Sequence, residues 1–198
     1  MTDITAVYAT CVQALLLGAF AVLLLDRLVL APGRRILLAA MVGAAAMVPF
    51  ASGASFMYFS RGLLGDPSVS TVLLLLAALF RAPRESRPVP AFIPWWVMIL
   101  GVPLYSTALG AGGFDLYEWG YGGHKLLPLL LLVAAIHWRH YPALAGVLGL
   151  GMLAWYFRLL ESANLWDYLL DPMLFVWALW QLVLAMLRRF KPHRTSAS

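Results

Sequence analysis

The chain has few charged residues and almost no cysteine. Only 12% of its 198 residues are charged, 63% are hydrophobic, and Cys11 is the single cysteine. Soluble domains typically carry about 25% charged residues. One cysteine excludes an intramolecular disulfide, a CxxC zinc site and dithiol redox chemistry within the chain. Since no polar segment exceeds about twenty residues, we expect residues 1–198 to form a single domain without a separate soluble part.

Several motifs of catalysis and nucleotide binding are also absent. The sequence contains no GxxxxGK[ST] loop, no HExxH, no GxSxG and no repeat of fixed period. These absences exclude motif-based assignment to P-loop nucleotidases, HExxH zinc peptidases, α/β-hydrolases or repeat proteins. No motif in the sequence specifies a reaction.

Long apolar runs recur along the whole chain instead, each bounded by charge, glycine or proline. They predict an all-α, polytopic membrane helix bundle with seven transmembrane spans. The spans are predicted at about residues 5–25, 35–56, 68–80, 92–109, 124–136, 142–157 and 172–187. The first run lacks the basic segment and cleavage site of a signal peptide, so we expect it to remain as a helix.

The basic residues predict the orientation of this bundle. Seven spans place the two termini on opposite sides, and an N-terminus outside puts eleven of the fourteen Lys and Arg residues inside. The eleven are Arg27, Arg34, Arg35, Arg81, Arg84, Arg87, Arg139, Arg188, Arg189, Lys191 and Arg194. The outer side keeps Arg61, Lys125 and Arg158. We therefore predict N-out and C-in, because cytoplasmic loops are enriched in basic residues.

The same charge distribution indicates location and partners. We expect an integral protein of a bacterial inner membrane, with its polar face toward the periplasm or exterior. The net charge of +5 reflects in part the basic tail RRFKPHRTSAS, which suits an anionic inner leaflet. Membrane lipids are the expected partners, another membrane protein or a homo-oligomer is the alternative, and nucleic acid is not expected.

Acidic residues accumulate on the predicted outer side, although insertion does not require them there. Two of them have structural interpretations, because Asp66 and Asp171 each stand directly before a proline at the start of a predicted span. An aspartate at the N-cap accepts free backbone N–H bonds, and proline suits the first helical position. We predict that both act as helix caps. Arg61, five residues before Asp66, either pairs with it or binds lipid phosphate.

The stretch FRLLESANLWDYLLDP, residues 157–172, interrupts two apolar runs with polar side chains. As a helix it would be amphipathic, with Glu161, Asn164, Asp167 and Asp171 on its polar face. One interpretation is an interfacial helix in which Arg158 and Glu161 pair at i, i+3. The other continues the sixth span, without a Gly or Pro break, into a site with Glu161 as the functional acid.

A second constellation lies in GAGGFDLYEWGYGGHK, residues 110–125, where glycines alternate with aromatic residues. Asp115, Glu118, His124 and Lys125 are its candidate binding and acid–base residues. Their spacing matches no metal-ligand motif, so we expect no metal and no cofactor. The third and fifth spans are short, which would recess their outer ends and form a vestibule.

Three functional hypotheses follow from these residues. The first is an enzyme acting on a lipid or lipid-linked substrate, with Glu161 or Asp167 as general acid/base and His124 assisting. In this hypothesis Arg61 and Arg158 bind an anionic headgroup. The second is a non-catalytic membrane subunit or assembly factor that docks a partner protein. The third is a small transporter, for which ionisable residues near mid-membrane would be expected.

Overall fold

The computed structural model describes residues 3–24, 31–51, 53–80 and 92–189. Within these ranges the chain is all-helical and contains no β-strand, which confirms the predicted helical class. Several residues used in the orientation prediction lie outside the described residues. They are Arg27, Arg81, Arg84, Arg87, Lys191 and Arg194.

The described ranges contain nine α-helices and one 3-10 helix. The α-helices are α1 (Asp3–Leu24), α2 (Pro32–Met47), α3 (Phe56–Leu64), α4 (Val69–Phe80), α5 (Phe92–Ala108), α6 (Leu126–His137), α7 (Pro142–Tyr156), α8 (Trp166–Leu169) and α9 (Pro172–Arg189). The 3-10 helix, Tyr117–Gly120, lies between α5 and α6.

One described helix is long and apolar enough to cross a membrane, namely α1 over Thr5–Val22. Five others are apolar but shorter: α4, α5, α6, α7 and the Pro172–Arg188 part of α9. Helices α4 and α6 have twelve residues each. At 1.5 Å per residue, each is about 18 Å long, less than the hydrocarbon core of a bilayer at about 30 Å.

The predicted second span, 35–56, extends beyond the helix that the structure contains there. Helix α2 ends at Met47, and Pro49, which has no backbone N–H to donate, follows two residues later. A separate helix, α3, then begins after Ser55, whose side chain accepts a hydrogen bond from the Tyr58 N–H at 3.2 Å. It ends before Gly65, which has a φ of 73°.

Helices α1 and α2 form a closely packed hairpin. A Cβ atom added to Gly18 would overlap the carbonyl of Ala39, and one added to Gly43 would lie 2.6 Å from the carbonyl oxygen of Ala14. Both contacts are between backbones, so no side chain could move aside to make room. The two glycines therefore set the distance between the helices.

Helix α4 lies between the N-terminal hairpin and the C-terminal helices, and contacts α1, α2, α7, α8 and α9. In the C-terminal part, α5 packs on α9 and α6 packs on α7. Their shared core is aliphatic, with one buried tryptophan. Its buried members are Val97, Leu104, Leu126, Leu130, Leu148, Met152, Leu165, Trp166, Leu169, Leu170, Leu174 and Ala178.

One end of the bundle collects most of the polar side chains singled out from the sequence. Thr5 Oγ1 at the start of α1 donates to the Arg158 carbonyl at 3.2 Å. At this same end, Asp171 accepts a hydrogen bond from the Ser68 N–H at 2.7 Å. We call this end the polar cap: residues 109–125, residues 157–171 and the turn 61–68.

Candidate functional site

The two long loops of the polar cap are joined by backbone and side-chain hydrogen bonds. Tyr121 and Asn164 form a single-residue antiparallel bridge, and the Leu165 N–H donates to the Gly120 carbonyl at 3.0 Å. The Trp166 indole Nε1 donates to the Leu116 carbonyl at 2.9 Å. The glycine-rich loop is therefore a fixed part of the structure, held against residues 164–166.

Asn164 is fully buried at this junction. Its Nδ2 donates to the Tyr117 carbonyl at 2.9 Å, and its Oδ1 accepts from the Trp166 N–H at 2.9 Å. A Cβ atom at Gly120 would overlap the Asn164 amide, which explains the glycine at that position. Both hydrogen-bond partners of the Asn164 side chain are backbone groups of the polar cap, so this side chain holds the two loops together.

Asp167 is likewise engaged within the polar cap. Tyr117 Oη donates to its carboxylate at 2.8 and 3.0 Å, and Ser162 Oγ donates to Oδ2. Burial and the hydrogen bond to Asp167 raise the pKa of Tyr117, so the phenol stays protonated and donates. The carboxylate is thus held by two hydroxyl groups of the protein.

Tyr168, which is fully buried, closes the loop that follows α7. Its hydroxyl donates to the carbonyls of Leu160 and Ser162 at 3.1 and 3.0 Å and accepts from the Leu160 N–H at 3.1 Å. Burial raises the pKa of this phenol. Trp155 Nε1 adds a further bond to the Ala163 carbonyl at 2.9 Å.

Asp171 joins the starts of two helices. Its Oδ1 accepts from the Leu174 N–H at 2.7 Å, the geometry of an N-cap for α9. Its Oδ2 accepts from the Ser68 N–H at 2.7 Å and from the Thr71 hydroxyl, at the start of α4. The side chain is 4% exposed. A single buried carboxylate therefore supplies acceptors to both α9 and α4.

Asp66, predicted as the cap of the third span, has a different set of contacts. The N-cap position of α4 is occupied by Ser68, whose Oγ accepts from the Thr71 N–H at 3.2 Å. Arg61 Nε and Nη2 donate to the two Asp66 oxygens at 2.8 and 3.0 Å. The capping assignment of Asp66 is therefore corrected, because its carboxylate faces Arg61 in a bidentate pair.

Arg61 also binds Glu161, through Nη2 and Oε1 at 2.7 Å. The side chains of Arg61 and Glu161 are 32% and 50% exposed. Hydrogen bonding to Asp66, followed by that to Glu161, raises the pKa of Arg61. The structure thus brings Arg61, Asp66 and Glu161 into one surface cluster, which we call the arginine bridge.

The segment 157–171 is not the amphipathic helix considered from its sequence. Helix α7 ends at Tyr156, and only Trp166–Leu169 is α-helical in the segment that follows. Asn164 and Asp171 are buried whereas Glu161 is exposed, so the residues of the predicted polar face do not share one environment. Long-range hydrogen bonds to the glycine-rich loop and to α4 replace the helical ones, and Glu161 pairs with Arg61 instead of Arg158.

The remaining predicted residues lie at the surface of the polar cap or within its first loop. Asp115 accepts from the Tyr117 N–H at 2.8 Å, a local turn contact. Glu118, His124 and Lys125 are exposed, with Lys125 Nζ 5.7 Å from the centroid of the Trp119 ring. Among the described contacts, none links His124 to Glu161 or Asp167.

The described residues contain no group of three His, Cys, Asp or Glu side chains able to hold a metal ion. Five residues of this arrangement were not among the predicted site residues: Ser68, Tyr117, Ser162 and Tyr168 in the polar cap, and Thr71 at the start of α4. Each contacts a candidate residue or its backbone neighbours. Ser162 and Tyr168 could have been found from the sequence, because their hydroxyl groups lie close to Asn164 and Asp167 in the same polar segment.

Comparisons with protein-family models, with curated proteins and with solved structures give no match for this chain.

Proposed function

We propose that the protein is a polytopic integral membrane protein with α1, α2, α4, α5, α6, α7 and α9 as its seven spans. The large apolar side chains that these helices expose support the proposal, because soluble monomers rarely expose contiguous apolar patches. Examples on five different helices are Phe20 (61% exposed), Leu37 (61%), Ile99 (57%), Ile136 (61%) and Val176 (64%). Lipid is the solvent that accommodates such a surface.

The proposed orientation has the N-terminus outside and places the polar cap on the outer face of a bacterial inner membrane. The basic residue distribution supports this orientation. Arg139 and His140 are exposed between α6 and α7, at the end of the bundle opposite the cap. The polar cap carries the acidic residues and the aromatic side chains expected at a membrane surface, such as Phe114 and Tyr121.

Within this framework, the favoured function is that of a non-catalytic membrane subunit or assembly factor that docks a partner through the polar cap. The observation that carries this choice is that groups of the protein itself already donate hydrogen bonds to Asp167, a predicted general acid/base, and to Asn164 and Asp171. A general acid or base must reach its substrate with a free proton or lone pair. Side chains that hold loops together instead produce a rigid surface.

The exposed part of the polar cap defines where the partner would bind. Glu118, His124, Lys125, Phe114 and Tyr121 all lie in the glycine-rich loop and face solvent. Aromatic residues beside charged residues are typical of protein interfaces. Because the loop is already ordered by the bridge to Asn164, binding would cost little conformational entropy.

A second candidate, a lipid-directed enzyme, is favoured by the arginine bridge. Glu161 remains half-exposed there beside a guanidinium, so it is the accessible one of the two residues predicted as general acid/base, Glu161 and Asp167. Arg61 would bind an anionic headgroup, and the Glu161 carboxylate would act as the general base. Asp167 would have no direct role, because two hydroxyl groups of the protein occupy it.

One set of variants separates the two functions. Purification from membranes in mild detergent should recover a partner in fixed stoichiometry with the parent protein and with Glu161→Gln. Glu118→Lys, which reverses an exposed charge, should reduce partner recovery about tenfold, since like charges across an interface cost more than 1.4 kcal/mol. Arg139→Glu, at the opposite end, is the matched control and should retain the partner.

The enzyme gives the opposite pattern in this experiment. A monodisperse protein without a partner, whose deletion phenotype is rescued by Glu118→Lys but not by Glu161→Gln, would contradict docking. Recovery of the protein in the soluble fraction after expression would contradict the membrane proposal itself.

A further inference from the structure

The C-terminus of α7 contains a residue that is unusual for its backbone geometry. The Leu159 N–H donates to the Ala154 carbonyl and the Arg158 N–H to the Trp155 carbonyl, both at 3.0 Å. This pair of bonds is the Schellman motif, in which the residue after the cap adopts a left-handed conformation and is usually glycine. Here that residue is Arg158, with a φ of 51°.

Arg158 is the only non-glycine residue with a positive φ in the described ranges. Every other described position of this kind is a glycine: Gly53, Gly65, Gly110, Gly112, Gly122 and Gly123. A side chain at a left-handed position costs conformational energy that glycine avoids. The chain thus has an arginine at a position where the left-handed backbone favours glycine, the residue found at its other described positions of positive φ.

No ion pair within the described residues explains why residue 158 is an arginine. Arg158 is exposed and forms no salt bridge with any described residue, and Glu161, the nearest acid in sequence, binds Arg61. A helix C-terminus favours a cation anywhere in its last turn. Tyr156 or Phe157 could provide that position without left-handed geometry, so the helix dipole does not explain the choice of residue 158.

The surroundings of Arg158 resemble the boundary of a lipid bilayer. Tyr156 and Phe157 precede it, are 74% and 66% exposed, and contact each other edge-to-face with centroids 5.4 Å apart. Exposed aromatic rings next to an arginine are typical of the headgroup level. The carbonyl of Arg158 is held by Thr5 at the start of α1, so the guanidinium projects from a fixed point of the cap.

We propose that Arg158 binds the phosphodiester of an anionic lipid headgroup at the outer leaflet, with Tyr156 and Phe157 contacting the adjoining acyl boundary. This inference rests on the proposed membrane location of the protein. It does not depend on whether the cap docks a partner or acts as an enzyme. Arginine suits this ligand because its planar guanidinium matches phosphate oxygens with two parallel hydrogen bonds.

The test uses the full-length protein in nanodiscs of phosphatidylcholine with increasing phosphatidylglycerol, and measures the melting temperature at each composition. The parent and Arg158→Lys should gain stability as phosphatidylglycerol increases. Arg158→Gly and Arg158→Asn, which both tolerate left-handed geometry, should need about fivefold more phosphatidylglycerol for the same gain, the effect of one basic residue near a charged lipid surface.

Pure phosphatidylcholine nanodiscs provide the structural control. There, Arg158→Gly should melt at or above the temperature of the parent, because glycine relieves the left-handed backbone. A lower melting temperature would show that the arginine is required by the fold and would overturn the proposal. So would an unchanged phosphatidylglycerol response in both neutral variants.

Inorganic phosphate added to phosphatidylcholine nanodiscs separates the lipid from a soluble anion. It should leave the parent's melting temperature unchanged, whereas stabilisation that disappears in Arg158→Gly would assign the site to free phosphate and overturn the lipid assignment. Failure of the protein to enter nanodiscs would instead contradict the membrane proposal, so the two failures are distinct.

Discussion

At the scale of single residues, the polar cap is built by side chains that supply hydrogen bonds where the backbone has no regular partner. Asn164 satisfies backbone groups of two loops, and Asp171 satisfies the starts of two helices. Both are buried. An unpaired polar group at such a site costs more than the hydrogen bond contributes, so these residues are sensitive to small chemical changes.

Asp171→Asn tests this sensitivity. The carboxylate accepts on both oxygens, from Leu174 on one side and from Ser68 and Thr71 on the other. Asparagine offers one acceptor and one donor, so one helix start must lose its partner. We expect the free energy of unfolding to fall by about 1–3 kcal/mol, measured by denaturant unfolding in detergent micelles.

Asp115→Asn is the matched control for this substitution. Asp115 accepts one hydrogen bond, from the Tyr117 N–H, and an asparagine oxygen makes the same turn contact. Its stability should equal that of the parent. Equal losses for both variants would show that the double acceptor role of Asp171 does not govern stability.

Only part of this residue-level arrangement follows from the sequence. The Asp-Pro pair at 171–172 directed attention to Asp171 as a cap, and its contact with Leu174 is local. Its contacts with Ser68 and Thr71 join residues 103 and 100 positions apart, and no local pattern encodes them. The same Asp-Pro reasoning placed a cap at Asp66, where Arg61 competes for the carboxylate and Ser68 takes the capping position.

At the scale of helices, close backbone contact determines how α1 and α2 pair. Gly18 and Gly43 each face the other helix without room for a methyl group. At Gly101 and Gly151 an added Cβ would meet a side chain, of Phe175 and Leu169 respectively, and not a helix backbone. Nothing lies within 4 Å of a Cβ added to Gly149 in α7.

Gly18→Ala and Gly149→Ala should therefore change stability in opposite directions. A methyl group at Gly18 meets the Ala39 backbone and must separate the helices, a form of overpacking that costs about 1–3 kcal/mol. At Gly149 the same change should stabilise the helix by about 0.5–1 kcal/mol. Thermal unfolding of both variants in one detergent provides the measurement, and destabilisation by Gly149→Ala alone would contradict the packing described here.

Apolar runs predicted the helices, and the span predicted at residues 142–157 ends within one residue of α7, but the end of α2 was not predicted. Helix α2 ends at Met47, so the predicted span to residue 56 combined two helices separated by Pro49. Helix α7 ends at Tyr156 without a glycine or proline, and a left-handed arginine completes its C-terminus. The Thr5 hydroxyl, more than a hundred residues away, donates to the Arg158 carbonyl just beyond that end, a contact that no local pattern encodes.

At the scale of the whole molecule, the polar cap and the segment between α6 and α7 lie at opposite ends of the bundle. The proposed orientation puts the cap outside. Cysteine labelling can test it, because replacing the single native cysteine gives a cysteine-free background. In a Cys11→Ser background, Ala163→Cys should react with an impermeant maleimide in intact cells. His140→Cys should react only after permeabilisation, because the proposed orientation puts these two exposed positions in opposite compartments.

The reverse labelling pattern would place the cap inside and contradict the orientation. Labelling of both positions in intact cells would contradict a membrane barrier between them. Apolar runs predict the seven spans, and the alternation of basic residues predicts their orientation.

The bond between Ser68 and Asp171 also has a consequence for biogenesis. Ser68 precedes its acceptor by 103 residues, so while the ribosome is still synthesising α5 to α7 its buried N–H has no partner from α9. In the proposed membrane arrangement this N–H lies at the surface, where water can accept its hydrogen bond until Asp171 is synthesised. Arrival of Asp171 would then replace that water and complete the starts of α4 and α9 together, which makes the docking of α9 on α4 a late step of assembly.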